Sequence, residues 1–177
     1  CVQEDERLAE FKKGPGFEGK SWQEYWGLFS STKERFEKSP DGGENLTDLN
    51  KRAGEFIYDL EKKYSGKNIL IVSHQGPIAS MHMIAEGADA GRFIEAKEKQ
   101  IYTFGFADFR KLDFVPLPHN ENYELDVHRP FIDEVRWSCE CGGEFERIKE
   151  VFDTWYDSGS MPYASVHHPF ESEETFL

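Results

Sequence analysis

From Asn45 to Tyr64, the residues Leu46, Leu49, Ala53, Phe56, Ile57, Leu60 and Tyr64 recur at steps of three and four with charges between them. That spacing lays one apolar stripe along a helix. Gly66 follows as a stop, and NILIVS (Asn68 to Ser73) is then apolar from Ile69 to Val72, which predicts a short buried parallel strand. Gln75-Gly76-Pro77 turns the chain, and Ile78 to Glu86 predicts a second helix with Pro77 near its first position. Helix, strand, helix in this order predicts an α/β sheet with crossover helices. His74 then sits at the carboxyl end of a central strand, where open α/β sheets hold their ligands.

Farther on, IYTFGFADFRKLDFV (101–115) alternates well enough to predict one or two strands. Pro116, Pro118, His119 and Asn120 form a turn-rich link, and a domain boundary is placed between Leu112 and Asn120. Residues 1–112 form one expected domain and 113–177 another.

The 177 residues suffice for one compact domain or two small ones. Aromatic residues make up 15%, so burial leans on rings. Lys and Arg number 21 against 34 Asp and Glu, a formal charge of −13, and no basic run exceeds two residues. Such a chain repels a phosphate backbone, which argues against DNA as a partner and requires any contact with nucleic acid to be local. The three cysteines, Cys1, Cys139 and Cys141, are an odd count that fits a reducing, cytoplasmic setting better than a disulfide framework. No apolar run approaches bilayer length, and the first residues are acidic where a signal peptide is basic and then apolar. The chain begins at Cys1 and ends on Phe176-Leu177, which reads as a piece of a longer protein.

Three segments of the first part act together: DERLAEFKKGPGFEG (5–19), PDGGE (40–44) and ILIVSHQGP (69–77). They resemble the histidine phosphatase superfamily, the phosphoglycerate-mutase-like enzymes, in which an RLxE segment, a PxGES segment and a strand-end His recur in this order. The resemblance implies a three-layer α/β/α domain, with His74 as the second His that holds the transferring phosphoryl group and Glu10 as the general acid toward the leaving oxygen. An imidazole at a strand end beside a helix start can meet phosphate oxygens. The family's nucleophilic His comes from an Arg-His-Gly motif that these residues do not contain, so the fragment by itself is not expected to be a working phosphatase. Gln75 stands where the family commonly has Gly. The plainer alternative is that His74 is a hydrogen-bonded structural residue and Glu10 a surface charge.

In the second part DVHRPFIDE (126–134), CECGG (139–143), EVFDTWYDSGSMPYA (150–164) and HHPFE (167–171) follow one another over about fifty residues. This succession resembles the class I aminoacyl-tRNA synthetases, in the form typical of the isoleucine-specific members; a valine-type enzyme would show Ser-Ser-Gly followed by Trp-Pro. The resemblance implies a piece of a Rossmann-type catalytic region, with Trp155 lining the pocket for the amino-acid side chain and Asp157, Ser158 and Ser160 shaping the turn beside it. A Trp ring supplies the area and shape that bind isoleucine. One methylene distinguishes isoleucine from valine, about 1–3 kcal/mol in a pocket, which is why the family edits. The resemblance further implies ATP and Mg2+ as cofactors and tRNA and isoleucine as partners, with no membrane. The alternative for Phe152, Trp155 and Tyr156 is ordinary aromatic packing. Neither ATP-handling signature of the family, HIGH or KMSKS, occurs here, so the parent and not this fragment is expected to be active.

Cys139 and Cys141, with His167 and His168 near in sequence, raise zinc as a ligand. Two cysteines without a second pair are a weak signal, and a reduced knuckle turning on Gly142-Gly143 is the plainer reading. The joint expectation is a stretch of an isoleucine-type synthetase that carries a histidine-phosphatase-like insert. The competing expectations are a phosphohydrolase and a folded, non-catalytic insert.

Overall fold

A computed structural model of the chain describes residues 2–148 and 154–166. The chain divides into two compact units, Cys1–Val135 and Arg136–Leu177.

The first unit is built on the helix anticipated from the Asn45–Tyr64 spacing. This is α3 (Leu46–Lys63), opened by a capping box in which the Asn45 side chain accepts from the Asp48 amide and the Asp48 side chain from the Asn45 amide. Gly66, at φ +61°, lies just beyond its end. The helix starting after the turn is α4 (Gln75–Ala85), which begins three residues earlier than expected, with His74 as its N-cap residue. Ala53, Phe56 and Ile57 of α3 meet Met81, Met83 and Ile84 of α4 in the main core, which Phe93 and Ala96 of α5 (Ala90–Glu98) complete. Asp89 caps α5 by accepting from the Arg92 amide.

A second cluster closes the other end of α3. Leu46 and Leu49 pack with Phe11 and with Tyr25 of α1 (Trp22–Trp26), and Phe36 of α2 (Thr32–Glu37) bridges both clusters. The α1 rings are ordered closely, with Tyr25 set edge-on to Trp26 at 4.8 Å between centroids and Trp22 stacked on Trp26 at 5.7 Å.

Two expected strands are not formed. Residues 68–73 run without ladder bonds, leaving Leu70 72% and Val72 80% exposed, while Ile71 packs on the core. A parallel strand satisfies its amides and carbonyls through neighbours on both sides, and no strand occurs among the described residues of this unit to supply them. The run is instead tied at its end by Ser73 Oγ, which donates to the Leu8 carbonyl at 2.7 Å. Residues 101–115 are likewise turn and coil; Tyr102, Leu112 and Phe114 pack on the main core and Phe106 and Phe109 stay exposed. The described residues thus mix helices with one small sheet, and the three-layer arrangement is not among them.

Residues 113–135 pack within the first unit. Tyr58 Oη donates to the Leu117 carbonyl at 2.8 Å and accepts from the Leu117 amide at 3.0 Å, and the Leu125 amide donates to the Ala88 carbonyl. Tyr123 stacks on His119 at 4.3 Å and covers Gly54 of α3, where an added Cβ would lie 2.2 Å from Tyr123 Cγ.

The second unit holds a hairpin of β1 (Arg136–Ser138) and β2 (Glu144–Glu146), antiparallel with Trp137 opposite Phe145, whose rings stack at 5.4 Å. Its turn closes through the Cys139 amide donating to the Gly143 carbonyl and Gly142 at φ +85°, which glycine takes without strain. Beyond it lies α6 (Thr154–Ala164). No helix among the described residues is long and apolar enough to cross a membrane.

Candidate functional site

The segment 7–10 is held in place by a guanidinium from α3. Arg52 Nη1 donates to the carbonyls of Arg7 (2.6 Å) and Ala9 (2.7 Å), and Nη2 donates to that of Glu10 (3.3 Å). The same side chain grips Glu44 of the PDGGE segment through Nε (3.0 Å) and Nη2 (2.7 Å), a two-pronged pair with side chains only 14% and 11% exposed. Glu44 in turn accepts from the Lys12 amide. The RLAE and PDGGE segments, far apart in sequence, are thereby fastened to one helix.

This fixes Glu10. Its Oε1 accepts from the Phe11 amide at 2.8 Å, and its Oε2 stands 4.0 Å from His74 Nδ1. The two side chains are 38% and 57% exposed, open to a ligand. Gly76, in the first turn of α4, lets that turn approach: a Cβ there would stand 3.0 Å from Glu10 Oε1 and 3.3 Å from Leu49. The His74 side chain makes no capping hydrogen bond to α4, so among the described residues the start of that helix has no side-chain cap. A carboxyl, an imidazole and a helix start at one place can accept, pass and electrostatically balance a proton and an anion.

Glu10 also lines a cavity of about 390 Å³ roofed by Trp22 and Trp26 of α1 and floored by Gln75, Gly76 and Ser80 of α4. Ser80 Oγ donates to Asn50 Oδ1 at 2.7 Å, a buried bond joining α4 to α3 beneath it. Arg35 of α2 and Lys97 of α5 enter from the side. Burial first, and then the charge of Arg35, pull the Lys97 ammonium below the ordinary lysine range, with Glu10 opposing. Tyr102, at the same cavity, is pushed up to about 12 by burial and by its bond to Glu86.

The remaining anticipated residues lie in the second unit. Trp155, Asp157, Ser158 and Ser160 are carried on α6, a helix where a turn was expected. Asp157 occupies its first turn, a position that favours an acidic side chain, and Ser160 Oγ donates to the Asp157 carbonyl. Trp155 is 85% exposed. The expectations for Phe152 and for residues 167–171 fall outside the described residues.

Cys139 and Cys141 bring their sulfurs to 3.0 Å, and the Cys141 thiol is drawn below its usual range, chiefly by the Cys139 hydrogen bond and then by the Gly143 backbone. A structural zinc takes four ligands. Among the described residues no group of three or more His, Cys, Asp or Glu side chains could hold a metal; His167 and His168 lie outside them.

Residues 1–108 match the family described as "Histidine phosphatase superfamily (branch 1)", and residues 84–177 match "tRNA synthetases class I (I, L, M and V)". The chain is 45% identical over 80 residues to an isoleucine–tRNA ligase of Thermus thermophilus, covering 45% of this chain and 7% of that protein. It is 43% identical over 83 residues to one of Bacillus thuringiensis (46% and 8%) and 55% identical over 51 residues to one of Dehalococcoides mccartyi (28% and 5%). The chain therefore spans under a tenth of the length of these curated relatives. No solved structure matches it. By these matches the chain belongs to the histidine phosphatase superfamily through residues 1–108 and to the class I tRNA synthetases through residues 84–177, the two overlapping over 84–108.

Proposed function

We propose that the chain is a stretch of an isoleucine–tRNA ligase, in which residues 1–112 are a histidine-phosphatase-type domain and residues 113–177 part of the Rossmann-type catalytic region. The full-length protein would attach isoleucine to its tRNA, using ATP with Mg2+ in the cytoplasm, and this stretch alone would not. The observation that carries the reading is the 45% identity over 80 residues to an isoleucine–tRNA ligase, with the other relatives of the same printed name. Trp155 would form one wall of the isoleucine pocket, its exposed indole offering the apolar area that such a side chain needs, with Asp157, Ser158 and Ser160 bordering it. In the full-length protein, Trp155→Ala raises the isoleucine concentration needed for half-maximal charging by about tenfold or more, consistent with loss of a large apolar contact. An unchanged requirement removes Trp155 from the pocket.

A second reading is favoured by the approach of His74 to Glu10 at 4.0 Å. Here the first domain, completed as a three-layer α/β/α fold in which 68–73 is a central strand, hydrolyses a phosphoester: a nucleophilic His outside these residues takes the phosphoryl group and then yields it to water as phosphate, with His74 holding that group and Glu10 protonating the leaving oxygen. Phosphomonoester hydrolysis by the full-length protein that falls in both His74→Gln and Glu10→Gln supports it. Hydrolysis that is absent, or indifferent to both substitutions, leaves the domain as a non-catalytic insert.

A further inference from the structure

All of α3 falls within the phosphatase match alone, and residues 117–126 fall within the synthetase match alone. Those residues nevertheless form a strap fastened to that helix and to the turn after α4. The Tyr58 hydroxyl serves both backbone groups of Leu117, donating to its carbonyl at 2.8 Å and accepting from its amide at 3.0 Å. Burial raises the Tyr58 phenol above its ordinary pKa, so it keeps the proton that it donates. One turn earlier on α3, Gly54 leaves the room that the Tyr123 ring fills. At the turn between α4 and α5, Gly87 takes φ +70° and faces Leu117, whose Cδ1 would stand 2.9 Å from an added Cβ. The next residue, Ala88, accepts from the Leu125 amide at 3.0 Å.

The strap is also closed on itself. The Asn120 side chain accepts from the amides of Asn122 and Glu124 at 2.9 and 3.2 Å, and the Asp126 amide donates to the Pro118 carbonyl at 3.0 Å. A loop held in this way presents Leu117, Tyr123 and Leu125 to the helices with little left to order. From its last residue the bonding continues into HRPFIDE (128–134): Asp126 accepts from the His128 amide at 2.9 Å, and Arg129 donates to Asp133 at 2.6 Å. None of Gly54, Tyr58, Gly87, Ala88 and the strap residues lines the cavity beside Glu10.

We propose that the phosphatase-type unit has a second use, independent of any phosphate chemistry: it is the anchor that sets the position of the synthetase stretch 117–134, with Tyr58 as the positioning residue. A loosely tethered insert needs no such fit. Here one hydroxyl is dedicated to the two backbone groups of a single residue, and two glycines make room for Tyr123 and Leu117. The anchoring rests on these contacts alone; its service to charging rests on the synthetase reading above.

Hydrogen exchange of the full-length protein, read by mass spectrometry, tests this. In the parent, residues 117–126 should exchange slowly, as backbone groups bonded within a packed unit do. Tyr58→Phe keeps the ring and removes the hydroxyl, leaving the Leu117 amide and carbonyl unpaired. It should speed exchange about tenfold across 117–126 and carry the increase into 127–134, with α4 and α5 as in the parent. Tyr64→Phe, the same change at the C-cap of the same helix, should exchange as the parent does. Isoleucine charging should fall severalfold in kcat/KM for Tyr58→Phe and stay unchanged for Tyr64→Phe. Should the Tyr58→Phe protein fail to fold, Tyr123→Gly is read in its place. Parent-like exchange in Tyr58→Phe, an increase confined to 117–126, or parent-like charging overturns the proposal. A parent that does not charge isoleucine refutes the synthetase reading instead, and the exchange result alone then decides the anchoring.

Discussion

Arg52 and Glu44 form a nearly buried, two-pronged ion pair at 2.7 and 3.0 Å, and the same guanidinium holds the carbonyls of Arg7, Ala9 and Glu10. Removing one partner leaves the other charge buried and alone. Arg52→Met should therefore cost about 3–5 kcal/mol in urea unfolding of the first unit. The double change Arg52→Met with Glu44→Leu should recover part of that loss, but not all, because the three carbonyls still lose their donor. A cost under about 1 kcal/mol for the single variant would mean that the pair does not organise the segment.

Gly54 and Tyr123 are in contact through the only space that a glycine leaves. Alanine at position 54 gains helix propensity, about 1 kcal/mol, but its Cβ meets Tyr123 Cγ and Cβ at 2.2 and 2.6 Å, atoms that cannot swing away without moving backbone. Gly54→Ala should destabilise the unit by about 1–3 kcal/mol in net. Tyr123 sits at φ +60°, so Tyr123→Gly is tolerated by the backbone, and in that background Gly54→Ala should cost little or stabilise. Thermal melts of the four proteins measure the coupling.

His82 of α4 lies between Tyr102 and Phe104, near Glu86 and Arg110, and burial holds its imidazole below the ordinary value of 6.5. The folded protein thus resists a proton that the unfolded chain accepts. Stability is complete above about pH 6.5 and falls as pH drops below it, toward the depressed folded value. The paired carboxylates Asp5 and Asp126, also held low, lose their contribution only at more acidic pH, below their ordinary value of 3.8. Urea midpoints measured from pH 7.5 to 5 should decline in the parent and decline less in His82→Gln; equal slopes would assign the dependence elsewhere.

Much of the first unit was legible because its decisive pattern is local. The spacing of Leu46, Leu49, Ala53, Phe56 and Ile57 states a helix and its buried face without reference to anything else, and the structure uses those residues so. The Ile69–Val72 run is different, since an apolar β-prone stretch becomes a strand only beside partners, and propensity does not supply them. Glu10 and His74 could be joined only through their likeness to a family, as 64 positions of sequence separate two groups that meet at 4.0 Å. Arg35 and Lys97 were invisible: each shares a short, charged helix with another basic residue, Lys33 or Arg92, and such a helix reads as a solvated face. The signal that existed was Trp22 and Trp26, four apart and so on one side of a helix, which announced an aromatic wall but not the cations that face it.

On the reading proposed above, these residues belong to a protein that charges tRNA with isoleucine. The most direct measurement is attachment of labelled isoleucine, and separately valine, to tRNA by the purified full-length protein with ATP and Mg2+. Isoleucine carried stably on its tRNA, well above valine, is the predicted result; no transfer of isoleucine with an intact, folded protein would contradict it.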